Sequence, residues 1–153
     1  MTSVSPPFAL PTKLSPRLHR VLDYWLSLKR GENSMPFWDD VKPSSLPDLS
    51  SSLMLIDAFE SPQRFRFASI GQHIGERYGS DLAGSFADAV EARAPLRFLI
   101  AQASATVEAK VPTFFADGVE AAGGRRSGYS RLLLPMWGNG RIGMLLGAIE
   151  YVA

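Results

Sequence analysis

The chain contains no cysteine. That excludes disulfides, thiolate nucleophiles, cysteine-ligated zinc and iron–sulfur clusters, and with them any flavin photochemistry that ends in a cysteinyl adduct. An excess of charge of one sign is also missing: 16 Lys and Arg face 15 Asp and Glu, a formal net charge of +1. Such a balance makes no field that would gather nucleic acid or an anionic membrane. Histidine is scarce, with two residues in all, and no spaced set of His or carboxylate side chains reads as a metal site. No apolar run approaches the roughly 18 residues of a membrane span, and residues 1–14 carry no basic–apolar–cleavage pattern. These absences predict a cytoplasmic protein.

What is present describes one globular domain. Apolar residues make up 46% and charged residues 20% of 153 positions, a mix that suits a packed core. Residues 1–14 read as a flexible tail and 15–153 as a single domain, with a helix within 15–31, an extended connection over 32–52 and the core over 53–153. Ser15 is a fitting N-cap and Pro16 sits at the first helical position. Leu18, Val21, Leu22, Trp25 and Leu28 follow at helical spacing. Lys29 and Arg30 suit a last turn, and Gly31 a C-cap, so the spacing predicts a helix over 16–30.

Leu53–Phe59 and Arg64–Ile70, joined by Ser61-Pro62-Gln63, read as a hairpin. Residues 72–94 read as helix broken at Gly75, Gly79 and Gly84, and Pro95 opens a longer helix over 95–109. Three strands follow, over 113–119, 129–136 and 143–152. Asn139-Gly140 between the last two is a type I′ turn signal. Runs 53–59, 132–136 and 144–152 are apolar on both alternations, which predicts cover on both sheet faces. Residues 64–69 alternate Arg with Phe as an edge strand would. The order predicts an α+β fold with one antiparallel sheet.

Several segments together resemble the compact, stand-alone PAS-domain proteins common in alphaproteobacteria: Met35-Pro36 through Pro43, Leu53-Met54-Leu55-Ile56-Asp57, Arg64-Phe65-Arg66-Phe67 before Gly71, Tyr78-Gly79-Ser80-Asp81-Leu82-Ala83-Gly84, and Arg131-Leu132-Leu133-Leu134-Pro135 leading to Leu146-Gly147-Ala148-Ile149-Glu150-Tyr151. The resemblance covers about 18–151. It departs at Ala68 and Gln72, where such proteins often carry a basic residue and a threonine. It implies a PAS-like, five-stranded antiparallel sheet with helices on one face and an amphipathic N-terminal helix. It implies sensing or regulation by protein contact and implies no cofactor; haem and flavin are not expected.

On that fold, Phe67, Ile70, Tyr78, Leu82, Phe98, Phe115 and Leu134 are the candidates to line a pocket for a small apolar or aromatic ligand, or to fill it as core. Leu18, Val21, Leu22 and Trp25 form a stripe that packs either on its own sheet or across a two-fold axis. The sequence reading favours a homodimer that answers to an unidentified signalling protein. An alternative is a small cavity enzyme with His73 and Asp81 as its acid and base, and a further one is haem ligated through His73. Gly138-Asn139-Gly140-Arg141-Ile142-Gly143 satisfies G-x-G-x-x-G, but an apolar strand pattern follows it, so a hairpin explains it better than a dinucleotide site. Asp39-Asp40 reads as a solvated loop. Arg125-Arg126 between glycines reads as a hydrated hairpin tip or an anion contact.

Overall fold

The computed structural model describes residues 8–118 and 128–152, apart from the side chain of Val152. The glycine-flanked Arg125-Arg126 loop lies outside the described residues.

Helix α1 runs Pro16–Ser27, capped by the Ser15 side chain, which accepts the Leu18 N–H at 3.3 Å. It ends three residues short of the predicted end. Lys29 lies 5.9 Å over the Trp25 ring, and Arg30 is drawn away to Asp40 at 2.6 Å. Gly31 instead takes a left-handed φ of 56° in the turn beyond. The connection that follows holds short 3-10 turns at Trp38–Asp40, Pro43–Ser45 and Ser50–Ser52.

Strands β1 (Leu53–Phe59) and β2 (Arg64–Ile70) form the first hairpin. Gly71 closes it where no side chain would fit: a Cβ there would stand 2.3 Å from the Ser51 carbonyl oxygen. The broken helical region resolves into α2 (Gln72–Tyr78) and α3 (Ala87–Val90). Helix α4 is Leu99–Ala109, not 95–109. The Pro95 and Arg97 carbonyls turn to the Arg131 side chain, and Phe98 is left-handed at φ 62°. Strands β3 (Thr113–Asp117), β4 (Gly128–Gly138) and β5 (Arg141–Val152) follow. Asn139 and Gly140 carry φ of 55° and 78°, the pair of positive angles a type I′ turn demands. The glycine motif over 138–143 is therefore a hairpin.

The sheet order is β2-β1-β5-β4-β3, antiparallel throughout. The three strands apolar on both alternations are the inner ones. β2 is an edge, with Arg66 paired to Asp57 and Arg64 to Asp88. Cross-strand partners share a face, so Tyr129, Arg131 and Leu133 look toward α4, while Leu132, Leu134 and Leu146 look the other way. That second face is covered by α1 and by Met35, Val41 and Leu49 of the connection, all buried.

Residues 8–14 correct the expectation of a loose tail over 1–14. Leu14 is buried, the Phe8 carbonyl accepts the Phe114 N–H at 3.0 Å, and the Phe8 ring lies 6.1 Å from that of Phe115. The α1 stripe is also committed. Leu18, Val21 and Trp25 are buried, Leu22 is half-buried, and Trp25 Nε1 donates to the Pro135 carbonyl at 2.9 Å. The favoured reading, packing across a two-fold axis, gives way to packing on the chain's own sheet. Among the described residues, no helix is long and apolar enough to cross a membrane.

Trp25→Phe keeps an apolar ring but orphans the Pro135 carbonyl, and is expected to cost about 1–3 kcal/mol in urea unfolding. Leu26→Asp, on the exposed side of the same helix, is expected to change stability by less than about 0.5 kcal/mol. Equal losses would show that α1 is not seated as described.

Candidate functional site

The helix-side face of β4 carries a charge inside the core. Arg131 is 0% exposed. Its Nε donates to Gln102 Oε1 at 2.7 Å, its Nη1 to the Pro95 carbonyl at 2.8 Å and its Nη2 to the Arg97 carbonyl at 2.9 Å. Gln102, on the first turns of α4, returns Nε2 to the Arg131 carbonyl at 3.2 Å and to Thr113 Oγ1 at 3.1 Å. Thr106, one turn on, donates to the Gln102 carbonyl at 2.9 Å. Its single hydroxyl proton is thereby used, so in the 2.6 Å contact between the two threonines Thr113 is the donor. One network thus ties β3, β4, α4 and the segment before α4.

The cation has no carboxylate of its own. Among the described residues, its hydrogen-bond acceptors are all neutral, whereas buried charges are ordinarily paired. Asp117 is engaged by the Tyr129 hydroxyl at 3.3 Å and by Arg97 at 3.6 Å. Glu91 accepts the Ile100 N–H at 3.1 Å, at the start of α4. Both act on the guanidinium only from a distance. Burial pulls its pKa down to about 10, which leaves it charged at neutral pH. Aromatic faces complete the surroundings: Phe115 at 5.2 Å and Tyr129 at 5.9 Å from the guanidinium carbon.

The structure separates the seven pocket candidates. Phe67 and Leu82 are each 1% exposed, and Tyr78 and Ile70 are half-buried. The Tyr78–Gly84 segment docks on the open edge of β2: Gly84 N–H donates to the Phe67 carbonyl and Phe67 N–H to the Ser85 carbonyl. Tyr78 also donates its hydroxyl to the Val90 carbonyl at 3.1 Å. Phe115 lies beside Arg131, and Phe98 meets it edge-on at 5.7 Å while remaining 52% exposed. Leu134 is corrected: alternation along β4 turns it to the α1 face, away from α2–α4. A cleft of about 230 Å³ lies apart from all seven, between Phe59, Val107, Lys110, Trp137 and Arg141.

His73 stands edge-on to the Tyr151 ring at 5.1 Å. Asp81 is exposed and accepts the Ala83 N–H at 3.0 Å, an Asx turn. His19 pairs with Asp23 at 3.0 Å on the exposed side of α1. Asp40 is held by Arg30, as a loop carboxylate would be. Arg131 and Gln102 were not singled out from the sequence. The available signal was an arginine in register with Tyr129 and Leu133 on an inner strand, a position that alternation sends inward.

Among the described residues, the Tyr151 hydroxyl is buried without a hydrogen-bond partner, and burial raises its pKa to about 12. Tyr151 pairs with Tyr129 across β5 and β4, on the Arg131 face.

The family model for the PAS domain matches residues 14–150. No curated protein and no solved structure matches the chain.

Two substitutions test this geometry. Arg131→Leu orphans two carbonyls and the Gln102 amide oxygen while removing the buried charge, and is expected to cost about 1–3 kcal/mol in denaturant unfolding; a variant as stable as the wild type would contradict the network. Tyr151→Phe removes an unsatisfied group and is expected to be neutral or stabilising by about 1 kcal/mol below pH 10. A phenol with a raised folded pKa ionises first in the unfolded chain, so the wild type loses stability as pH rises from its ordinary value of 10 toward about 12. The Phe variant should lose less across that window, as read by the melting temperature against pH.

Proposed function

The chain belongs to the PAS-domain family, and from that premise we propose that it is a sensory and regulatory module that acts without catalysis, by contact with another protein, and that a small molecule gates that contact. The observation that supports this reading is the joint on the helix side of the sheet. Arg131 holds the connection before α4 by two hydrogen bonds and α4 itself, at Gln102, by a third, all to neutral acceptors. In this reading the joint has a held arrangement, the one described, and a released one. A ligand with more affinity for one of them shifts the population, and the helices carry the change to the surface. The residues that would support an enzyme are engaged otherwise: Asp81 caps its own turn and His73 packs on Tyr151.

The test is genetic complementation in the cell the gene comes from. The double variant His73→Ala/Asp81→Asn is expected to restore a deletion strain as fully as the wild type. Loss of complementation by a double variant that still melts cooperatively would favour the enzymatic or haem alternative and overturn this reading.

A further inference from the structure

The proposed module needs a place where a ligand enters, and the strongest irregularity of the core marks one. A guanidinium presents a planar fork that matches a carboxylate with two parallel hydrogen bonds. In Arg131 the two terminal nitrogens of that fork are held by two separate carbonyls, those of Pro95 and Arg97, and no described carboxylate bonds it. Both carbonyls belong to one short segment. That segment ends at Phe98, whose left-handed backbone at φ 62° is unfavourable for a bulky residue and whose ring is half in solvent. The half-exposed Phe98 ring lies 5.7 Å from Phe115, and Phe115 lies 5.2 Å from the guanidinium carbon. A surface groove of about 450 Å³ reaches the segment there, lined by Asp88, Glu91, Arg97 and Phe98 among others. Of its two carboxylates, Asp88 is paired with Arg64 and Glu91 accepts the Ile100 N–H while keeping its charge, and Arg97 sets a cation on the same rim.

We infer that Arg131 receives a small carboxylate with an apolar or aromatic body, which takes the guanidinium fork from the Pro95 and Arg97 carbonyls and seats its body against Phe115, Tyr129 and Phe98. This rests on the sensory reading for its meaning, and it names the ligand class. A carboxylate exchanges two neutral acceptors for a charged one at a buried cation, where charge-assisted bonds are strongest. The released segment leads directly into α4 at Leu99. Occupancy of Arg131 therefore changes the tether at the start of that helix, and Gln102, also bonded to Arg131, feels the change one turn later.

The experiment uses the purified chain with benzoate and phenylacetate as probes and benzyl alcohol as the uncharged control. The carboxylates are expected to raise the melting temperature by roughly 5–10 °C at about a hundred times Kd, and to shift the amide resonances of residues 95–99 and 102 saturably. Benzyl alcohol should do neither. Arg131→Gln is expected to weaken benzoate binding by at least about tenfold. If that variant does not fold, the comparison of acid with alcohol on the wild type decides alone. No response to either carboxylate overturns the site, as does an equal response to the alcohol or full binding by a folded Arg131→Gln protein. Such a failure leaves the complementation result for the sensory reading untouched.

Discussion

Five N–H groups on one buried side chain set the terms for the helix side of this protein. Arg131 leaves β4 pointing inward and meets three acceptors from two other parts of the chain. Each bond there has a structural consequence. The bond to Gln102 fixes which end of that amide is oxygen, and so directs its nitrogen to Thr113 and to the Arg131 carbonyl. The bonds to Pro95 and Arg97 hold the connection that delivers α4 to the sheet. Taking an ion out of water costs several kcal/mol, and neutral acceptors return only part of it. The arrangement persists because the guanidinium is fully buried, and because Glu91 and Asp117 lend attraction from further off.

The opposite face is built by ordinary means. Inner strands apolar on both alternations need cover on both sides. α1 supplies part of it with Leu18, Val21 and Trp25, and the proline-rich connection supplies more with Met35, Val41 and Leu49. The Trp25 indole adds a directional tie to the Pro135 carbonyl of β4. Pro135 is four residues from Arg131 on that strand, so the two anchored strand positions sit close in sequence. Any motion of β4 that served a signal would load both anchors.

The sequence made the strands and their order legible, since hairpin chemistry is local. Asn139-Gly140, the turn after Phe59 and the glycine that ends β2 are each readable from neighbours. The start of α1 was legible for the same reason, through Ser15 and Pro16. What was missed depends on partners distant in sequence. Arg131 is legible in sequence only as an arginine on an inner strand, and its partners emerge once α4 and residues 95–97 close over it. Helix α4 starts late because the Pro95 and Arg97 carbonyls are claimed by that arginine, 36 and 34 positions away. Leu134 looked like a pocket residue because an all-apolar run hides which alternation faces which layer. The Phe8–Leu14 stretch reads as loose because its proline and polar residues say nothing of a docking site on β3.

The central claim is that one charged guanidinium is locked in the core by neutral acceptors, and side-chain nitrogen–proton NMR reads that state directly. With Arg131→Lys used for assignment, the account predicts one arginine whose Nη protons give separate, slowly exchanging resonances, because rotation and solvent access are both blocked at a buried, triply bonded group. Every arginine showing averaged signals that exchange rapidly with water would contradict it.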